Sequence, residues 1–395
     1  MPPPRLALWG SELSPFALKV RACLDWAGLA YEWLPAEGGR LRNLRVNWTI
    51  ERAKRARSVE RHPRLDPLDE YPLVPFLVVD DRRVLYDSSA LAQWIDDRLP
   101  APHGRLVPTD PAVAFVARLV DEALDELGLY LAHHNRWVLS ATTNDAGARL
   151  AREFRRVLPP GTGRIMARHF SERQVRRLPY LFSVAPAGFA VGLRPALTPP
   201  APAGFPPTHA LLAETWAALL SSLEPVLSRR PHLLGDGFTI ADAGVYGQLA
   251  MNLKDPDAAA DMRARAPGTV ARLEAIRDRR HAGAGGAPGL PPDLAPLLDV
   301  VARTFVPLMQ QNARAYEEAR ARGETLFNER AFDRGRALYD GTLLGHSFRA
   351  VVKTFQVRVW RDLCAAWRAL DADARGRLRP LLAGASFEST PPRLP

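Results

Sequence analysis

The sequence predicts an α/β unit followed by an all-α unit, with a further helical extension behind it. Three observations carry that expectation. Apolar runs of strand length occur only before residue 100, helical spacing dominates from residue 111 onward, and a Gly/Pro-rich break at 281–292 sets off a last helical block. With 395 residues the chain exceeds the size at which one core stops growing, so two or three units are the natural division. The expected boundaries are 1–100 for the α/β unit, with an insertion at 38–70, then 101–283 for the all-α unit and 284–395 for an extension packed on it.

The elements follow in order. Arg5-Leu-Ala-Leu-Trp9 is an apolar run that stops at Gly10, and Pro15–Ala27 places Phe16, Val20, Cys23 and Leu24 on one helical face. Gly28 closes that helix as the residue after its C-cap. Ala30–Leu34 reads as a second strand, giving a strand-helix-strand unit long enough for a parallel crossover. Residues 38–70 break the regularity with eight arginines and apolar positions only around Val46, Trp48 and Ile50, as in a helical or partly mobile insertion. Val74–Val79, the Asp80-Asp81 turn and Val84–Tyr86 make a hairpin, and Ser88–Ile95 opens a helix that ends before Pro100. Helical patterns then cover 111–139, 145–157, 163–177, 207–229, 240–253 and 267–280. Seven prolines between Ser183 and Pro207 require a loop. The last block spans 293–320 and 346–384, with a frayed tail from Ser386.

Composition narrows the function classes. Hydrophobic residues at 47% and charged residues at 24% mark a chain that folds rather than a disordered one. The net charge of +10 invites a nucleic-acid reading. However, only four of the 53 basic residues are lysines (Lys19, Lys54, Lys254, Lys353), which is the mark of arginine-biased coding rather than of a nucleic-acid motif. No nucleic-acid partner is expected. Cys23 and Cys364 match neither a disulfide framework nor metal-ligand spacing, and His133-His134 has no second ligand pair, so no metal is expected. The opening Met1-Pro-Pro-Pro-Arg5 lacks the layout of a signal peptide, and no apolar run reaches membrane-spanning length. A cytoplasmic protein without a membrane partner is the expectation.

Four short motifs carry the chemistry. Ser14 stands where the first strand hands over to the first helix, as N-cap, with Pro15 at the first helical position. A cap needs nothing more, yet a hydroxyl at a helix N-terminus can also stabilise a bound thiolate, lowering a thiol pKa from about 8.5 towards neutrality. Val74-Pro75 puts proline at a strand entry, either as an ordinary trans edge residue or as a cis bond in a tight turn. Tyr86-Asp-Ser-Ser ends a strand and opens a helix, where Asp87 and Ser88 are capping residues and also an acid and a hydroxyl beside free helix N–H groups. Phe238-Thr-Ile-Ala-Asp242 forms a T-x-x-D capping box from Thr239 and Asp242.

Taken together, in this order and near this spacing, the four motifs resemble those of the glutathione S-transferase family, in a bacterial, serine-type form with an extended C-terminal region. The resemblance implies a thioredoxin-like first domain, an all-α second domain, and glutathione as co-substrate. It gives Ser14 the activation of the thiol, Val74 (followed by Pro75) main-chain contacts to the cysteinyl part, and Asp87 and Ser88 the γ-glutamyl end. Thr239 and Asp242 are structural in this family. Its usual Lys or Gln before Val-Pro is replaced here by Pro72-Leu73, and Arg40 or Arg42 would substitute at the glycyl carboxylate. The expected reaction joins the glutathione thiolate to a small hydrophobic electrophile, in a homodimer. The alternative is an inactive binding or scaffold protein of the same fold, which the insertion and the extension favour.

Overall fold

The computed structural model describes residues 4–70, 72–98, 104–192, 196–283 and 285–388. The first three residues, the helix stop at Pro100, Pro195 and the end of the tail lie outside them.

The first hundred residues build one four-stranded sheet. In order come β1 (Leu6–Trp9), α1 (Pro15–Trp26), β2 (Tyr31–Leu34), α2 (Arg40–Arg55), β3 (Phe76–Val79), β4 (Arg83–Tyr86) and α3 (Ser88–Arg98). The strand order is β2-β1-β3-β4, with β1 parallel to β2 and the other neighbours antiparallel. This is the thioredoxin-like arrangement. Alternation along β1 sends Leu6 and Leu8 to one face, against α1 and α3, and Ala7 and Trp9 to the other.

The insertion supplies the cover for that second face. Val46, Ile50 and Ala53 of α2 pack on Ala7, Trp9 and Val78. Trp48, expected among the apolar positions, faces outward and is exposed.

The rest is almost entirely helical. A long rod begins with α4 (Pro111–Ala123), widens into a π-turn at Leu124–Gly128, continues as α5 (Leu129–His134) and ends in a second π-turn at Asn135–Leu139. Then follow α6 (Ala146–Glu153), α7 (Gly163–Arg176), α8 (His209–Leu227), α9 (Ile240–Ala250), α10 (Pro256–Arg265) and α11 (Pro267–Arg277). α9 starts on the anticipated capping box: Asp242 accepts from the Thr239 N–H at 2.9 Å, the Thr239 hydroxyl at 3.0 Å and the Leu233 N–H at 2.7 Å. Among the described residues α8 alone is long and apolar enough to cross a membrane, and its Leu212, Trp216 and Leu220 lie in the core.

The last block contains α12 (Ala295–Arg303), α13 (Phe305–Ala321), α14 (Asn328–Phe332), β5 (Leu338–Leu343), β6 (His346–Val351), α15 (Thr354–Ala369) and α16 (Ala372–Leu378). α12 packs on α8, and α15 and α16 pack on α4, where Phe115 meets the rings of Trp367 and Phe387. The β5–β6 hairpin interrupts the helical block expected at 346–384. Its two-residue turn, Leu344-Gly345, has positive φ at both positions, 49° and 79°. That is the backbone of the turn favoured between antiparallel strands, reached here without the usual Asn-Gly pair.

Candidate active site

The hydroxyl of Ser14 accepts from the Ala17 N–H at 3.3 Å, so Ser14 is the α1 N-cap. Next to it in space are the Val74-Pro75 bond, which is cis, and the β4–α3 junction with Asp87 and Ser88. These five residues line the mouth of one cavity of about 450 Å³ between the sheet domain and the helices, a volume suited to a small organic ligand. Leu129, Tyr130 and Trp137 from the long rod, with Phe170 from α7, form an apolar wall. Lys353, Phe355 and Arg358 reach the same cavity from the start of α15.

Arg40 and Arg42 do not line it. α2 lies on the opposite face of the sheet, and Arg42 bonds Glu32 at 2.8 Å and Asp81 at 2.5 Å. Arg40 projects outward from the first turn of that helix. Neither guanidinium group stands on the cavity wall, and that of Arg42 is engaged by Glu32 and Asp81.

Asp87 is held by three donors. Arg61 of the insertion donates to its Oδ2 at 2.8 Å, Arg358 of α15 to the same oxygen at 3.2 Å, and the Ala90 N–H to Oδ1 at 3.1 Å. Burial opposes the charge, but the two guanidinium groups outweigh it and hold the carboxyl at about 2. Asp69 joins the cluster through Arg358 at 2.9 Å. The Ser88 hydroxyl donates to Asp125 at 3.2 Å. Asp125 and Asp121 share the fully buried Lys19, at 2.7 and 2.6 Å. This ion cluster ties α1, α3 and the rod together beneath the site.

Further groups on the cavity wall carry displaced pKa values. Burial pushes Glu122 up to about 7 against the pull of Arg358. It pushes Glu70 up to about 7 against Lys353 and Arg177. Burial likewise lowers Lys353 to about 7, opposed by Glu126 and Glu70. His133 and His134, also on the rod, are pushed down to about 3 by burial, so both are neutral; they bond Gln174 at 3.1 Å and Ser183 at 2.9 Å. No group of side chains suited to holding a metal ion occurs among the described residues.

Sequence reading missed Glu122, Glu126 and Tyr130. Their signal was available: polar groups at i, i+4 and i+8 share one face of a helix that is otherwise apolar. Lys353 and Arg358 carry no such local signature.

Residues 8–103 match the family model of the glutathione S-transferase N-terminal domain. A search of curated protein sequences gives no match. Among solved structures, the β-etherase LigF of Sphingobium sp. strain SYK-6 is 16% identical, with a TM-score of 0.39 over 74% of this chain and 98% of that one. A glutathione S-transferase from Methylobacterium radiotolerans, in complex with glutathione sulfonate, is 20% identical with a TM-score of 0.35, over 73% of this chain and 98% of that one. One from Rhodospirillum rubrum F11 is 18% identical with a TM-score of 0.36, over 74% and 91%.

Proposed function

Residues 8–103 of this chain are a glutathione S-transferase N-terminal domain, and on that premise we propose that the cavity binds glutathione and passes its thiolate to an electrophilic, apolar molecule. The observation that carries the reading is the convergence of Ser14, Val74, Asp87 and Ser88 on one cavity that also carries an apolar stretch of Leu129, Trp137 and Phe170.

Each residue has a role under this reading. The Ser14 hydroxyl donates to the thiolate, and the positive end of α1 adds to the same stabilisation. Val74 offers its main-chain N–H and C=O to the cysteinyl unit. Asp87 takes the γ-glutamyl ammonium on the side its arginines leave open. Ser88 and the first N–H groups of α3 take the adjacent carboxylate, with Arg358 beside them as a guanidinium fork suited to it. The electrophile then lies against Leu129, Tyr130 and Phe170.

Retention on immobilised glutathione, followed by conjugation of 1-chloro-2,4-dinitrobenzene, tests the proposal. Failure of both would sink it. The assembly this reading expects is a homodimer, which light scattering reads as twice the chain mass. A cytoplasmic setting agrees with Cys23 and Cys364, which are buried and form no disulfide.

A second reading has one observation in its favour. Asp87 is already neutralised by Arg61 and Arg358, and the Ser88 hydroxyl is already given to Asp125. A binding or scaffold protein that has lost turnover would show the same arrangement. Calorimetric binding of glutathione without conjugation across a panel of electrophiles would support it.

A further inference from the structure

We propose that Lys353 and Tyr130 form an oxygen-binding subsite in the wall of the cavity, and that its ligand is an aromatic carboxylate. The inference rests on the transferase reading only for the ligand's role, as the second substrate; the binding itself is independent of glutathione.

The argument begins with donors. The Tyr130 oxygen accepts from Lys353 Nζ and from Gln356 Nε2, the latter at 2.8 Å. Both of its lone pairs are then used, so its own O–H remains to donate. An ammonium has three N–H donors, and Tyr130 takes one. Among the described residues Lys353 forms no ion pair, although it is buried and lines the cavity. Two amine donors and a phenol donor are therefore left for an occupant, and what they require is an oxygen with lone pairs.

The surroundings restrict the rest of the ligand. Lys353 Nζ lies 4.2 Å from the ring centre of Tyr130 and 4.6 Å from that of Tyr180. Tyr130 is backed by Phe182, stacked at 5.4 Å between ring centres. Lys353 and Phe182 thus cover the faces of Tyr130, and the apolar body of the ligand is left to Leu129, Leu181 and Phe355, which line the same cavity, while its acid group meets the amine.

The amine is fixed from behind. The Lys353 N–H donates to Asn312 Oδ1 at 2.9 Å, and Asn312 Nδ2 donates back to the Lys353 carbonyl at 2.9 Å. This clamp holds the β6–α15 junction and directs the side chain inward. Glu126 and Glu70 also face the amine, with Arg177 and Glu329 further out. Burial favours the protonated forms of Glu126 and Glu70, which weakens their competition with a carboxylate ligand.

The test is calorimetric titration of the full chain, without glutathione, by trans-cinnamate and by cinnamyl alcohol, at roughly pH 6.5, where the amine holds its proton. Cinnamate is expected to bind about tenfold more tightly than the alcohol. Lys353→Met and Tyr130→Phe should each weaken cinnamate by about fivefold or more while leaving the alcohol within about twofold. Equal affinities for the two ligands, no cinnamate binding, or cinnamate binding unchanged in the variants would overturn the proposal. Circular dichroism reports whether Lys353→Met folds; if it does not, Tyr130→Phe decides. A separate glutathione titration keeps the two readings distinguishable: cinnamate binding without glutathione binding removes the transferase role and leaves the subsite.

Discussion

Arg358 donates from its guanidinium to the Asp87 carboxylate at 3.2 Å, joining α15 to the start of α3 across 271 residues of chain. Arg61 reaches the same oxygen from the insertion, so the two segments that lengthen this chain beyond its sheet and central helices meet on one acidic residue of the site.

Replacing Arg358 by Met should be costly. Arg358 and Asp87 are mostly buried, with side-chain exposures of 10% and 16%, and removing one partner of such a pair strands the other charge. A loss of about 3 kcal/mol is expected from urea midpoints. Adding Asp87→Asn to the Arg358→Met background should recover part of that loss, because the stranded carboxylate is gone. Additive losses in the double-mutant cycle would show the pair to be uncoupled.

Ser14→Ala removes a helix cap as well as the proposed thiolate donor. Stability should fall by about 1 kcal/mol, and the pKa of bound glutathione, followed by thiolate absorbance, should rise. Ser14→Asn separates the two roles, since it retains a capping side chain but replaces the hydroxyl. It should keep the stability and still lose conjugation rate. Equal thiol pKa values in the wild type and Ser14→Ala would remove Ser14 from the chemistry.

Asp242 accepts three hydrogen bonds in the core at the start of α9. Asp242→Ala leaves two N–H groups and a hydroxyl without this acceptor, at a cost of about 2 kcal/mol or more. Ligand affinity of the folded fraction should be unchanged, which equilibrium unfolding and calorimetry together can check.

Lys353 makes stability depend on pH. The unfolded lysine keeps its proton up to about pH 10.4, while burial in the fold lowers the group to about 7. Between those values the unfolded state binds more protons, so this group makes stability rise with pH. Lys353→Met lacks the effect, and its stability relative to wild type should fall by about 1.4 kcal/mol per pH unit across that window. Glu70 titrates at about 7 in the same cluster, so the slope is best read above about pH 8, where that carboxyl is ionised.

Much of the fold was legible because its signals are local. Pro15 after Ser14, Gly28 after the helix, the Asp80-Asp81 turn and the Thr239–Asp242 box each mark a boundary with residues next to it in sequence. The hairpin was not legible, because Leu344-Gly345 is an unusual turn pair and the flanking strands alternate only weakly. α10 was also missed, although Asp255-Pro256 offers a capping residue followed by proline at the first helical position; in the fold Asp255 gives its carboxylate to Arg136 at 2.9 Å instead. At the site, Ser14, Val74, Asp87 and Ser88 could be named from short motifs. Arg40 and Arg42 could not be placed, because sequence does not say which face of the sheet an inserted helix covers. Lys353 and Arg358 reach the cavity only through the packing of α15 on the rod, a long-range arrangement that no local pattern encodes.

That packing ties completion of the pocket to the synthesis of α15. A ribosome adds about 5–20 residues per second, and early domains fold before later ones emerge. Ser14 and its sheet thus leave the exit tunnel many seconds before Lys353 and Arg358 are made. During that interval the nascent chain presents an open, one-sided groove. A product cut by a protease or stopped by a premature codon ahead of residue 353 would retain the sheet and the rod but lack the wall that meets Asp87. Such fragments would be silent towards any ligand that needs both sides, so the cell would meet the finished site only on molecules that extend through α15.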